Sequence, residues 1–272
     1  MELYKYSGAG NDFIVLDGRT EDVSEYRQSD RICSLCSRRN GYRAADGRIG
    51  ADGLMILSPS DICDFRMEFF NPDGSSGMMC GNGGRCIVAF ADYLGIRPGS
   101  GIDAFVFEAA DGMHSAEILS REGALSTVRL RMIDVTEYHR ELGGWFVDTG
   151  TRHLVLFVPD ADDVDVETAG REYRWNPIFA PDGVNVNFVS RSGGDRAIHV
   201  RTFEKGVEAE TLACGTGITA SAVASYLESG RNACDPVRYE VQARRDRLSV
   251  EFVPGDNRFQ DVFLTGPALR VA

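Results

Sequence analysis

Two short motifs constrain this chain more than any other feature, because one repeats the other. Cys80-Gly81-Asn82-Gly83-Gly84-Arg85 and Cys214-Gly215-Thr216-Gly217 each place a Cys-Gly-x-Gly at the opening of a helical pattern, and their cysteines lie about half of the 272-residue chain apart. After Cys80 the apolar residues Ile87, Phe90, Ala91 and Leu94 recur at helical spacing; after Cys214, Ala220, Val223, Ala224 and Leu227 do the same. Both patterns end on Tyr-Leu (Tyr93-Leu94, Tyr226-Leu227) followed by a glycine, Gly95 or Gly230. Both follow a strand-like run and a turn. Met67 to Phe70 leads into Asn71-Pro72-Asp73-Gly74, and His199 to Phe203 leads into Glu204-Lys205-Gly206. One such motif is weak. Two in matched surroundings predict an internal duplication with one cysteine at the same place in each half.

That place has a specific chemistry. A glycine-rich turn at a helix start leaves backbone N–H groups unpaired at the positive end of the helix dipole. It suits an anion such as a carboxylate, and it favours thiolate over thiol. Two such units facing each other would hold one carboxylate between two helix ends, with a sulfur on each side of the attached carbon. That geometry takes a proton from one face and returns one to the other.

Composition narrows the partners. A net charge of −12, from 29 basic and 41 acidic residues, argues against nucleic acid or an anionic membrane and leaves a small-molecule substrate. No apolar run approaches the roughly 18 residues of a membrane span, and the N-terminus lacks the basic flank and apolar block of a signal peptide. Seven cysteines with no export signal are expected to be free thiols in the cytoplasm. Cys33 and Cys36 form a Cys-x-x-Cys with no further ligands at zinc-site spacing, so both are read as ordinary helix residues and no metal is expected.

In chain order, Ser7 to Asp12 is a turn before the apolar run Phe13 to Leu16. Asp30 is expected to cap a helix whose inner face is Ile32, Leu35 and Cys36. Asn40 to Arg48 reads as a polar surface loop. Phe65, Met67 and Phe69 alternate with charged residues as a half-buried strand. Phe105 to Phe107, a turn at Asp111-Gly112, Ala116 to Leu119, and Val128, Leu130 and Met132 read as hairpins. Beyond Gly143-Gly144, Thr151-Arg152-His153 leads into Leu154 to Val158 as Asn11-Asp12 leads into Phe13 to Val15. Gly183 to Phe188 echoes Gly50 to Leu54. The echoes keep their order. Boundaries at 1–131, with 262–272 returning, and 132–261 follow, with the site expected in a cleft between the halves.

Several blocks carry a resemblance. Gly10-Asn11-Asp12-Phe13, Gly50-Ala51-Asp52-Gly53-Leu54, Phe70 to Ser75, Cys80 to Cys86, Asn185-Val186-Asn187-Phe188 and Glu210 to Gly217 together resemble the diaminopimelate epimerase family over almost the whole chain. The resemblance implies an α/β (α+β) fold of two pseudo-symmetric halves, each a mixed, mostly antiparallel sheet curled around a central helix. It implies an isomerase, independent of any cofactor, that converts LL-2,6-diaminopimelate to the meso form in lysine and peptidoglycan biosynthesis, and a possible homodimer. Cys80 and Cys214 would be the two acid/base groups. Backbone N–H groups of Gly81, Asn82, Gly215 and Thr216 would hold the reacting carboxylate. Glu204 would take the ammonium group. Asn11, Asn71 and Asn185 would bind the rest, the last two at the distal end, and His153 would set the protonation of the cysteines.

The chain departs from the family pattern in three places. Thr151 and Arg152 stand where the family usually has Asn-Pro, and Lys205 where it usually has arginine. Arginine grips a carboxylate with two parallel bonds and lysine with a point charge. Arg152 is therefore expected to supply the fork that Lys205 lacks. The alternatives are a racemase or epimerase of another amino acid and, from a different class, an amino-acid-binding or thiol-redox protein. The second has no need of a matched cysteine pair.

Overall fold

The protein is described from a computed structural model covering residues 1–77, 79–99, 103–230 and 235–271. The chain divides into two compact units, Met1–Leu130 with Gly266–Ala272, and Arg131–Thr265.

In the first unit β1 (Tyr4–Gly8) and β2 (Asn11–Asp17) form an antiparallel hairpin. Its two-residue turn, Ala9-Gly10, has positive φ at both positions, the geometry that matches the twist of paired strands. A crossover through α1 (Ser29–Cys36) brings β3 (Gly53–Ser58) parallel to β2, and β4 (Phe65–Phe70) returns antiparallel. A second crossover, α2 (Gly81–Tyr93), leads to β5 (Phe105–Ala109), parallel to β4. The antiparallel strands β6 (Gly112–Glu122) and β7 (Leu125–Arg131) follow.

In the second unit β8 (Tyr138–Glu141) and β9 (Gly144–Asp148) precede β10 (Arg152–Phe157). The same sequence of pairings then recurs. The crossover α3 (Val166–Arg174) gives β11 (Asn185–Arg191) parallel to β10, with β12 (Ala197–Glu204) antiparallel and the short β13 (Ala209–Thr211) at its side. The crossover α4 (Gly215–Glu228) gives β14 (Val237–Gln242) parallel to β12, followed by antiparallel β15 (Arg247–Gly255) and β16 (Arg258–Arg270). The order of parallel and antiparallel partners from β1 to β7 is the order from β9 to β16, so the duplication read in the sequence is present in the topology. β16 starts on β15 and ends in the first unit, where Gly266 to Arg270 pair with β7 and β1 and close that sheet on itself.

Each unit keeps a helix at its centre. Every residue of α2 from Gly81 to Ala91 is buried, and so is α4 from Gly217 to Tyr226. Helices buried on all sides are what a surrounding sheet requires. Several local expectations are corrected. Gln28, not Asp30, is the N-cap of α1; Asp30 lies inside its first turn, where its charge favours the dipole, while Ile32, Leu35 and Cys36 are buried. Met132 follows β7 rather than belonging to it. The polar loop after Asn40 folds back on itself, with an Arg43–Ile49 bridge and Ala44 N–H donating to Arg48 O at 2.9 Å. Cys33, Cys36, Cys63, Cys80, Cys86 and Cys214 are free thiols, and Cys234 lies outside the described residues. Among the described residues no helix is long and apolar enough to cross a membrane.

Candidate active site

Both cysteines take the position the repeat predicts. Cys80 is the N-cap of α2 in extended conformation, and its Sγ accepts the backbone N–H of Gly83 at 3.2 Å. Cys214 is the extended N-cap of α4, with Sγ 3.4 Å from Thr216 Oγ1. Gly81 and Asn82, and Gly215 and Thr216, are the first two residues of their helices, whose N–H groups have no carbonyl within the helix to meet. Gly83 and Gly217 follow at matching positions for steric reasons. A Cβ at Gly83 would lie 3.2 Å from Cys80 Sγ. One at Gly217 would run into Asn187 Oδ1 and come within 3.3 Å of His153 Cε1.

In the first unit the start of α2 is tied to a partly buried polar chain. Asn82 Nδ2 donates to Asn11 Oδ1 at 2.6 Å, and Asn11 Nδ2 donates to Asp52 Oδ2 at 3.2 Å. Asp52 also accepts the Asp12 backbone N–H at 3.0 Å and pairs with Arg38. Arg38 reaches Asp12 Oδ1 at 2.6 Å, and Lys5, fully buried, lies 2.7 Å from Asp12 Oδ2 and donates to Gly50 O at 2.5 Å. Burial alone would raise the Asp12 carboxyl, but hydrogen bonds from Arg38 and Lys5 outweigh it and hold the group below the usual carboxylate range. Asn71 keeps to its own turn: its N–H meets Ser75 O at 2.9 Å and its Nδ2 meets Ser75 Oγ at 3.0 Å.

In the second unit, β10 and β11 run side by side and set His153 opposite Asn185. Asn185 is buried with its amide committed. Nδ2 donates to Arg152 O at 2.9 Å and to Thr151 Oγ1 at 3.3 Å, and Oδ1 accepts the Lys205 N–H at 2.8 Å. His153 is fully buried between Thr151 Oγ1, 2.9 Å from Nε2, and Asn187 Nδ2, 3.1 Å from Nδ1. Burial, and after it the charge of Lys205, push this imidazole down to about 3, so it is neutral at physiological pH. It therefore acts on its surroundings by hydrogen bonding and not by charge. Thr151 Oγ1 lies 3.5 Å from Thr216 Oγ1, and Thr149 Oγ1 donates to Thr216 O at 3.1 Å. Glu204 Oε2 accepts from Thr211 Oγ1 at 2.7 Å. The Arg152 side chain pairs with Asp182 Oδ2 at 3.1 Å, both partners being well exposed.

Thr151, His153, Asn185, Lys205 and Thr216 are thus one neighbourhood in the second unit, and Asn11, Cys80, Gly81 and Asn82 one in the first. Asn71 and Arg152 are held by other partners. Among the other thiols, Cys36 and Cys86 are raised to about 12 by burial, so neither ionises near neutral pH. Among the described residues one group has the side-chain geometry of a cation site, Asp160, Asp162 and His199. It has no buried ligand and shares no residue with either neighbourhood.

The family model described as diaminopimelate epimerase matches residues 3–121 and 145–270. The chain belongs to the diaminopimelate epimerase family. Its relatives include the diaminopimelate epimerase of Chlorobaculum tepidum, 42% identical over 270 residues covering 97% of each chain. That of Flavobacterium psychrophilum is 38% identical, covering 98% of this chain and 97% of the relative. Among solved structures, a Bacillus anthracis phenazine biosynthesis protein of the PhzF family superposes with a TM-score of 0.73 at 13% identity, covering 100% of this chain and 98% of the other. A hydroxyproline epimerase from Agrobacterium vitis superposes at 0.66 and 16%, covering 98% and 88%. At such identities these two speak for the fold alone.

Diaminopimelate epimerase family membership leaves several residues that the sequence reading passed over. Asn187 holds His153, Thr202 holds Asn187 through Oδ1 at 2.9 Å, and Arg85 is buried against the start of α2. The signal for Asn187 was available. Asn185 and Asn187 fall two apart in an apolar run, so both point to the same side of one strand, and two amides on a buried face need partners.

Proposed function

We propose that this chain catalyses the cofactor-independent epimerisation of LL-2,6-diaminopimelate to meso-diaminopimelate, as a step of lysine and peptidoglycan biosynthesis. The observation that carries the reading is the duplicated site. Each of two topologically equivalent helices begins with a cysteine N-cap and a first turn whose N–H groups have no carbonyl within the helix to meet, in a chain 42% identical to a diaminopimelate epimerase. The reaction calls for a thiolate to take the α-proton from one face and a thiol to deliver one to the other. Cys80 and Cys214 fill these roles. The N–H groups of Gly81, Asn82, Gly215 and Thr216 stabilise charge that grows on the α-carboxylate as the proton leaves. Glu204 receives the substrate ammonium, and Asn11, Asn71, Asn185 and Lys205 bind the remainder. Thr151 and His153 hold Asn185 and the start of α4 in place.

A cytoplasmic setting fits free, ionisable thiols, and the net charge of −12 fits a protein with no nucleic-acid partner. A homodimer is the family expectation. A second reading, epimerisation of another amino acid, is favoured by Thr151 and Lys205, which change the groups available to a distal carboxylate.

The test is proton exchange in deuterated water under reductant, with LL-diaminopimelate and the wild type, Cys80→Ala and Cys214→Ala. Deuterium at the α-carbon together with meso product, both lost in either variant, is the expected result. A reduced wild type that exchanges nothing on diaminopimelate but exchanges another amino acid transfers the assignment to the second reading.

A further inference from the structure

The two cysteines hold equivalent places in unequal surroundings. Cys80 Sγ accepts the Gly83 N–H at 3.2 Å, a bond in which the sulfur must be the acceptor, because a backbone N–H only donates. Five residues after Cys80, the fully buried Arg85 folds back over the same turn. Its Nη1 donates to Gly81 O at 3.1 Å, its Nη2 to Asn82 Oδ1 at 2.8 Å and its Nε to Pro267 O at 3.4 Å. A guanidinium does not release its proton in a protein. A fixed positive charge therefore lies in the turn that Cys80 caps, with the same sign as the helix dipole there.

Five residues after Cys214 stands Thr219. Its Oγ1 donates to Gly215 O at 3.0 Å, the carbonyl equivalent to the one Arg85 reaches in the first unit. A neutral hydroxyl thus replaces the cation. α4 has no side-chain cap bond at Cys214, and the Sγ meets Thr216 Oγ1, which donates or accepts equally well. The helix dipole and the glycines at the first and third helical positions are common to both sites.

Other ionisable groups lie on strands packed against the two helices. Of the strands packed on α2, β1 brings Tyr4, Lys5 and Tyr6, β2 brings Asp12 and Asp17, β3 brings none, and β6 brings His114, Glu117, Arg121 and Glu122. Lys5 is paired with Asp12, Asp17 with Arg19, His114 with Asp111, Glu117 with Arg129 and Arg121 with Asp92. Within α2, Cys86 is raised to about 12 and remains a thiol. Against the first turn of α4, β10 brings His153, which is neutral, and β12 ends at Glu204, whose Oε2 accepts from Thr211 Oγ1. On the other strands packed on α4, β9 brings Asp148, β10 Arg152, β11 Arg191, β12 His199 and Arg201, β14 Arg238, Tyr239 and Glu240, and β15 Arg247 and Glu251.

We propose that Arg85 is a positioning residue that makes Cys80 the thiolate of the substrate-free enzyme and leaves the proton on Cys214. The proposal rests on these two cysteines being the acid/base pair, but thiol ionisation is measurable with no substrate present. Its consequence is a preferred direction. The substrate whose α-proton faces Cys80 reacts from the resting form, Cys80 gaining a proton as Cys214 gives one up, and the enzyme resets by exchanging one proton with solvent at each sulfur.

The experiment is alkylation of the reduced, substrate-free enzyme with iodoacetamide from pH 5 to pH 9, resolved by peptide mass spectrometry. The reading is the midpoint of each cysteine's rate–pH profile, because restricted access scales a rate without moving its midpoint. In the wild type the Cys80 midpoint lies at least about one pH unit below that of Cys214. Arg85→Gln closes that gap, and Arg85→Lys, which keeps the charge, retains it. A wild-type Cys214 midpoint equal to or below that of Cys80 overturns the proposal, with no variant needed. So does an undiminished gap in folded Arg85→Gln. A wild type with the expected gap that exchanges no α-proton of diaminopimelate would instead count against the substrate, leaving the assignment of the thiolate standing.

Discussion

Asn187 donates its side-chain amide to Nδ1 of His153 at 3.1 Å, and that bond decides where the imidazole keeps its proton. The amide is oriented by its other partners: Oδ1 accepts from Thr202 Oγ1 at 2.9 Å, and Nδ2 also meets Leu154 O at 3.3 Å. Nδ1 is then the bare nitrogen, and Nε2–H donates to Thr151 Oγ1 at 2.9 Å. The first prediction is spectroscopic. Imidazole 15N shifts should report His153 as the neutral Nε2–H tautomer from pH 8 down to pH 5. An imidazolium signal within that range contradicts the assignment.

The same burial makes His153 a liability in acid. Its folded value of about 3 lies below the ordinary 6.5, so between the two the unfolded chain binds a proton that the folded protein does not. Stability is therefore full above about pH 6.5 and declines as the pH falls toward 3, with a limiting slope of about 1.4 kcal/mol per pH unit. His153→Gln removes the titration. In urea unfolding at pH 7 and pH 5, the wild type should lose more stability than the variant, and equal losses would mean that the imidazole is not held neutral.

Gly217 is where helix α4 comes down onto that histidine. A Cβ there meets Asn187 Oδ1, which is fixed by Thr202, and His153 Cε1 at 3.3 Å. Neither neighbour has room to withdraw. Gly217→Ala should cost about 1–3 kcal/mol by overpacking and, by shifting the turn that carries Cys214, reduce kcat by at least about tenfold. At Gly83 the neighbours of a new Cβ are Cys80 Sγ at 3.2 Å and the flexible ends of Met55 and Met67 at 3.4 Å. Gly83→Ala should therefore be the less destabilising of the two in thermal unfolding, with its loss concentrated in activity. The reverse order of stabilities would refute the packing argument.

What the sequence made legible follows from what repeats. Cys80 and Cys214 stood out because a duplicated glycine turn has no other economical reading, and their helices and flanking strands came with them. The buried network around Asp12 was hidden, since Lys5, Asp12, Arg38 and Asp52 come from four separate stretches that only the parallel pairing of β2 with β3 and the end of α1 bring together. Spacing along the chain carries no trace of such a meeting. Asn71, to which the resemblance gives a place at the distal end of the substrate, has its amide bonded to Ser75 in its own turn, a local pairing that spacing along the chain does not distinguish from a ligand contact. The cap of α1 fell on Gln28 because Asp30 lies two residues inside the helix, a shift within the usual uncertainty of helix ends.

The Asp12 network yields a prediction of its own. Asp12→Asn leaves the fully buried Lys5 ammonium without its carboxylate at 2.7 Å. Breaking a buried pair from one side costs about 3–5 kcal/mol, because the remaining charge stays desolvated. Asp12 is held below its ordinary value, so its contribution is present above about pH 3.8 and disappears as the pH falls through the depressed value. Denaturant unfolding at pH 7 should show the full loss in Asp12→Asn. A variant as stable as the wild type would mean that Lys5 reaches solvent or another carboxylate.

Arg152 and Lys205 divide the question of how a distal carboxylate is gripped. Arg152 was expected to supply a guanidinium fork, and in the structure that group pairs with Asp182 at 3.1 Å on an exposed surface. Pairs of this kind contribute roughly 0–1 kcal/mol. Arg152→Ala should therefore leave both stability and the Michaelis constant for diaminopimelate within about twofold of the wild type. Lys205 sits differently. Its backbone N–H is fixed by Asn185 Oδ1 at 2.8 Å, and its charge acts on His153. Lys205→Arg, which introduces the fork the family usually has, should lower the Michaelis constant by about three- to tenfold, the difference between a point charge and two parallel charge-assisted bonds. A several-fold rise in Arg152→Ala, with no change in Lys205→Arg, would return the grip to Arg152. It would also mean that the pair with Asp182 opens when substrate binds.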